Sequence, residues 1–101
     1  MTEAVRYLWE GLRARFTGSL RLRVDVAYDR DAGVWHVCRT DVPGLWMEAD
    51  SSAELLQRLS DAMPEMIELN RSAILRRFGI RQKRRHLPEM HSTVGTHLAH
   101  C

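Results

Sequence analysis

At 101 residues, 45% of them apolar and 28% charged, the chain has the size and composition of one small globular domain built on a single core. No run of about 18 apolar residues occurs, so no membrane-spanning helix is expected. Glu3, Arg6, Glu10 and Arg13 interrupt the first apolar positions, which argues against a secretory signal peptide. The net charge of +2 hides an asymmetry: residues 1–70 hold 8 basic and 12 acidic residues, a net −4, while residues 71–101 hold 7 and 1, a net +6. An acidic body suits a basic protein partner, and a basic tail suits nucleic acid or the body itself.

Residues 2–16 read as an amphipathic helix. Val5, Leu8, Trp9, Leu12 and Phe16 recur at helical spacing, with Thr2 as a cap and Thr17-Gly18-Ser19 as the stop. The ordinary reading of that stripe is packing against a sheet; the sharper one is a helix that binds a partner. Leu20 to Tyr28 then alternates as a strand, with Leu20, Leu22, Val24, Val26 and Tyr28 on one face and Arg21, Arg23 and Asp25 on the other. Asp29 to Gly33 is a turn, and Val34 to Thr40 is a second strand completing an antiparallel hairpin. In Asp41-Val42-Pro43-Gly44 the proline fixes φ and the glycine supplies the positive φ of a type II turn. Leu45 to Ala49 is the third strand.

A helix follows. Ser51 and Glu54 have capping-box spacing, and Leu55, Leu56, Leu59, Met63, Met66, Ile67 and Leu69 form its apolar face. Pro64 predicts a kink or break near Met63. Trp35, Val37 and Trp46 stand out of phase with their neighbours, so both sheet faces carry apolar groups. The N-terminal helix, a second subunit or a partner must cover the second face. Ala73 to Ile80 suits a last helical turn or a fourth strand. The end, Met90 to Cys101, has weak periodicity and reads as disordered.

The blocks Tyr28-Asp-Arg-Asp-Ala-Gly-Val-Trp35, Asp41-Val-Pro-Gly-Leu45, Glu48-Ala-Asp-Ser51 and Glu54-Leu-Leu56, with Met63-Pro-Glu65, resemble the bacterial HicB-like antitoxin domain. They are most similar to the uncharacterised family called domain of unknown function 1902. The resemblance covers Leu20 to Asn70. It implies a degraded RNase H-like unit, often with a fourth strand after the helix. It also implies a protein that neutralises a small RNA-cleaving toxin of the HicA type by covering it. Residues 1–19 extend beyond that pattern, and residues 71–101 match neither the usual fourth strand nor a complete DNA-binding domain.

Three constellations carry possible chemistry. Asp25, Glu48 and Asp50 are the only acids that could serve a metal-dependent nuclease, and their spacing does not force them together. His86, His91, His97, His100 and Cys101 could ligate a metal, but no fold signal accompanies them. His36 with Cys38 lacks the third group of a nucleophilic centre. With only two cysteines, Cys38 and Cys101, a disulfide framework is not expected, and a reducing cytoplasm is the default.

The expectation is an α+β protein in three parts: an N-terminal helical extension (1–19), a β-β-β-α domain (20–70) with a three-stranded antiparallel sheet under one helix, and a basic, partly disordered tail (71–101). It is read as a non-enzymatic, cytoplasmic interaction module needing no metal or cofactor and touching no membrane. Trp35, Val37, Trp46, Glu48 and Asp50 are the expected contacts for a basic toxin. A homodimer is admitted. The alternative is nucleic-acid binding through Arg76, Arg77, Arg81, Lys83, Arg84 and Arg85, since phosphates attract guanidinium and ammonium groups whatever the sequence.

Overall fold

The computed structural model of the protein describes residues 3–81 and 87–97. In chain order its elements are α1 (Glu3–Thr17), β1 (Ser19–Asp29), β2 (Val34–Thr40), β3 (Glu48–Ala49), α2 (Ser52–Leu69), α3 (Arg71–Arg77) and β4 (Glu89–His97). The architecture is α+β, with the N-terminal helix in place and a four-stranded sheet ordered β3-β2-β1-β4. β1, β2 and β3 pair antiparallel, while β4 lies parallel to β1. Parallel pairing requires a long crossover, and α2 with α3 supplies it. The reading of Met90 onward as disordered is thereby corrected over residues 90–97. Period-2 patterning is faint there because little of this edge strand is buried; backbone pairing to β1, from Ser19 with Glu89 to Ala27 with His97, places it.

The turns follow from their residues. Gly33 takes φ 69° in the β1–β2 hairpin, and its N–H donates to the Asp29 carbonyl at 2.7 Å. Gly44 takes φ 76°, and the Leu45 N–H closes the Val42–Leu45 turn on the Val42 carbonyl at 3.3 Å. The third strand is shorter than expected, two residues instead of five. Leu45 turns inward as a core residue, and the Met47 carbonyl accepts the Val37 N–H at 3.0 Å.

The register explains the out-of-phase residues. Asp25 pairs with Arg39, but Val26 pairs with Val37, leaving Cys38 as the extra residue of a β-bulge. Strict alternation would have put Cys38 and His36 opposite Val26 and Tyr28. The bulge exchanges them for Val37 and Trp35, so Val37 joins Val24 and Val26 in the core. Cys38 is disulfide-bonded, so its thiol is not free as the cysteine count suggested; Cys101 lies outside the described residues.

α2 starts at Ser51, whose hydroxyl accepts the Glu54 N–H at 3.1 Å as expected of a cap. Leu55, Leu59, Met63 and Ile67 are buried with Leu20, Leu22, Val24 and Val26 of β1. Each such side chain stabilises the fold by roughly 1.5–3 kcal/mol. Of the kink or break expected near Met63, the break does not occur: α2 runs through Pro64 to Leu69. Met63 and Ile67, on either side, dock into the same core, and that burial outweighs the roughly 3 kcal/mol helix cost of a proline. α3 ends in a Schellman arrangement. The Ile80 N–H donates to the Leu75 carbonyl at 2.8 Å and the Gly79 N–H to the Arg76 carbonyl at 3.0 Å, with Gly79 at φ 71°. The ambiguous stretch from Ala73 is therefore helix and cap, and it contributes Ile74, Leu75, Phe78 and Ile80 to the core.

α1 is a helix, but the stripe expected to enter the core does not. Val5, Leu8, Trp9, Leu12 and Phe16 are 49, 69, 61, 46 and 84% exposed. The inward face is Tyr7, Glu10, Gly11 and Ala14. Tyr7 meets Phe78 edge-on at 5.0 Å between centroids. A Cβ on Gly11 would lie 2.1 Å from the Phe78 carbonyl oxygen. The lack of a side chain at Gly11 lets this helix approach so closely, and small residues decided which face turned inward.

Candidate docking surface

Of the five residues expected to meet a partner, the fold brings Trp46, Glu48 and Asp50 to one exposed edge. The short β3 borders the sheet there, and Trp46 precedes it. Trp46 is 66% exposed, with its ring 5.8 Å from that of His36 on β2. The loop is tied back to α2, since Arg58 donates to the Glu48 carbonyl at 2.9 Å and pairs with Glu54 at 3.8 Å. The exposed carboxylates of Glu48, Asp50, Glu54, Asp61, Glu65 and Glu68 continue from this edge along α2. The arrangement is an aromatic anchor on an acidic rim, which suits a basic, apolar-tipped partner.

The other two are corrected. Val37 is 2% exposed and belongs to the core, because the bulge at Cys38 turns it inward. Trp35 is half-buried against the core, with its ring 5.5 Å from that of Tyr28. It stiffens the hairpin and is not part of the Trp46 edge.

The acids weighed for a nuclease are not gathered. Asp25 sits on β1 and is buried beside Arg23 at 2.9 Å, whereas Glu48 and Asp50 lie at β3, two strand spacings away, roughly 10 Å. Among the described residues no three His, Cys, Asp or Glu side chains converge on a cation position. His91 is exposed and bonded to the Ser19 hydroxyl at 3.2 Å, while His86, His100 and Cys101 lie outside the described residues.

Of the basic segment, Arg76, Arg77 and Arg81 are exposed, whereas Lys83, Arg84 and Arg85 lie outside the described residues. Arg77 also has an internal task. Its guanidinium donates to the Asp41 carbonyl at 3.3 Å and stands 5.9 Å from the Tyr7 ring centre.

Asp41, first residue of the Asp-Val-Pro-Gly turn, is a structural centre that sequence reasoning missed. It is 1% exposed. Its carboxylate accepts the Arg23 N–H at 2.7 Å and pairs with the Arg6 guanidinium, and its N–H donates to the Arg23 carbonyl at 2.9 Å. One turn residue thus joins α1, β1 and, through Arg77, the end of α3. Its position before Val-Pro-Gly suggested only a turn; no local signal marks a buried carboxylate. Glu10 does similar work on α1, buried and accepting from Arg21 at 3.0 Å and Arg13 at 3.4 Å. Arg6, Glu10, Arg21, Arg23 and Asp25 line a cleft of about 510 Å³ beside β4. Each arginine in it already has a carboxylate partner, so the cleft holds α1 to the sheet.

Residues 21–81 match the family described as a domain of unknown function, DUF1902. The chain belongs to that family. The matched region of this DUF1902 protein holds the hairpin, the Asp41 turn, the Trp46 edge, α2 and α3. Its fold is similar to the crystal structure of the hypothetical protein TTHA1013 from the extremely thermophilic bacterium Thermus thermophilus. Identity is 30% and the TM-score 0.51, covering 75% of this chain and 90% of the other. No curated protein matches. No helix among the described residues is long and apolar enough to cross a membrane.

Proposed function

We propose that this DUF1902 protein is a non-enzymatic docking module of the HicB-like antitoxin type, which covers a small basic RNA-cleaving toxin with its acidic edge. The observation that carries the reading is the exposed Trp46, seated on His36 and bordered by Glu48 and Asp50, at the head of the acidic α2 surface. Tryptophan in such a position is a frequent energetic anchor of protein interfaces. Carboxylates around it steer a cationic partner and reject acidic ones. The resemblance of the Asp41–Leu45 and Glu48–Ser51 blocks to HicB-like domains supports the choice of partner.

The test is co-expression with a small basic protein encoded beside the gene, followed by co-purification and calorimetry. Nanomolar to micromolar binding that weakens with salt is expected, falling at least thirtyfold in Trp46→Ala and losing both strength and salt dependence in Glu48→Lys/Asp50→Lys. Undiminished binding by both variants would reject the surface. The nucleic-acid alternative keeps Arg76, Arg77 and Arg81 as its exposed groups among the described residues. It requires RNA or duplex affinity that drops steeply with salt and is lost in Arg76→Glu/Arg81→Glu.

A further inference from the structure

We infer that α1 forms the interface of a symmetric dimer, its outward stripe packed antiparallel against the same stripe of a second copy of this chain. The surface is distinct from the Trp46 edge. α1 precedes the matched residues 21–81, and its inner face meets β1 and the α3 turn.

The first argument is area. Trp9 and Phe16, at the exposures given above, offer about 300 Å² between them, taking an aromatic side chain as 150–250 Å². With Val5, Leu8 and Leu12 the stripe reaches about 600 Å² per copy, most of the roughly 800 Å² that a standard interface buries on each partner. A contiguous apolar patch of that size lies at the upper end of what a monomer exposes, where patches are often interaction sites.

The second is register. Val5, Trp9, Leu12 and Phe16 are spaced four, three and four, a pattern that reads the same in both directions. An antiparallel copy centred between Glu10 and Gly11 sets Trp9 opposite the second copy's Leu12, and the small Val5 opposite its large Phe16. A twofold interface must be self-complementary in this way.

The third is shape. Leu8, Gly11, Leu12 and Arg15, positions i, i+3, i+4 and i+7, surround a recess of about 270 Å³ floored by Phe78 and Gly79. Four residues so spaced make the hole that receives a knob from a facing helix. In the register above, that knob is the second copy's Trp9.

Charge separates this occupant from a lipid surface. An interfacial helix presents arginines to headgroups. Here Arg6 is paired with Asp41, Arg13 with Glu10 at 3.4 Å, and Arg15 donates to the Gly79 carbonyl at 2.9 Å. The stripe is left apolar between arginines already engaged within the protein.

Sedimentation equilibrium of the full chain tests the inference. A species of twice 11.7 kDa is expected at micromolar concentration. Trp9→Lys and Leu12→Glu, both on the exposed face, should each weaken dimerisation by about thirtyfold or more with an unchanged circular dichroism spectrum. Mixing the two variants should restore a dimer. The lysine introduced by Trp9→Lys in one copy then meets the glutamate introduced by Leu12→Glu in the other, while the second Trp–Leu contact survives. A monomeric parent protein, a dimer that persists in Trp9→Lys, or a mixture that stays monomeric would overturn it. So would a monomer that instead pellets with phosphatidylglycerol vesicles. None of these results bears on capture of a toxin by the Trp46 edge, so the two readings fail separately.

Discussion

α1 and α2 are written in the same language and used in opposite ways. Each carries large apolar residues at helical spacing. α2 sends Leu55, Leu59, Met63 and Ile67 into the core, whereas α1 turns Leu8, Trp9, Leu12 and Phe16 to the outside. Periodicity identifies a helix and a face, but it does not say what that face meets. On α1 the decision rests with Gly11 and Ala14, which permit close approach to the Phe78 turn, and with Glu10 and Arg6, whose ion pairs hold the helix in that rotation.

The contrast can be broken most sharply at one leucine from each helix. Leu59→Ala removes a side chain 2% exposed and should cost about 2–5 kcal/mol in urea unfolding. Leu8→Ala on α1 should change unfolding of the monomer by less than about 0.5 kcal/mol. Equal effects would mean that the α1 stripe is covered within a single chain.

Next comes the tether of α1. Asp41→Ala removes the carboxylate that accepts the Arg23 N–H and pairs with the Arg6 guanidinium and should cost about 3 kcal/mol, with α1 losing protection in hydrogen exchange before α2 does. Asp41→Asn keeps an acceptor for the Arg23 N–H and should cost less.

Gly11→Ala separates local preference from packing. Alanine favours a helix by about 1 kcal/mol, but its Cβ would meet the Phe78 carbonyl, so a net loss of about 1–3 kcal/mol in chemical denaturation is expected. A gain in stability would show that α1 does not sit tightly on that turn. The smallest effect belongs to the α2 cap: Ser51→Ala removes the bond to the Glu54 N–H and should cost about 1 kcal/mol by thermal melting.

Local patterns were legible wherever a rule acts within a few residues. The hairpin, the Val42–Leu45 turn with Gly44 at positive φ and the Ser51 cap all stand where spacing put them. The exposure of Trp46, Glu48 and Asp50 could be read from the loop itself. That of Trp35 and Val37 could not, because one unpaired residue, Cys38, reverses which side of β2 faces inward, and no nearby residue announces a bulge.

The amino-acid order by itself determined the α+β class, most element boundaries from Ser19 to Leu69, and the separation of an acidic body from a basic end, because propensity, alternation and turn geometry act over short stretches of chain. Only the tertiary structure decided that β4 joins β1, that Asp41 is buried among Arg6, Arg23 and Arg77, and that the apolar stripe of α1 faces outward. Those outcomes depend on contacts between residues distant in the chain, where backbone pairing, charge neutralisation and close packing compete, and hydrophobic spacing alone cannot rank them.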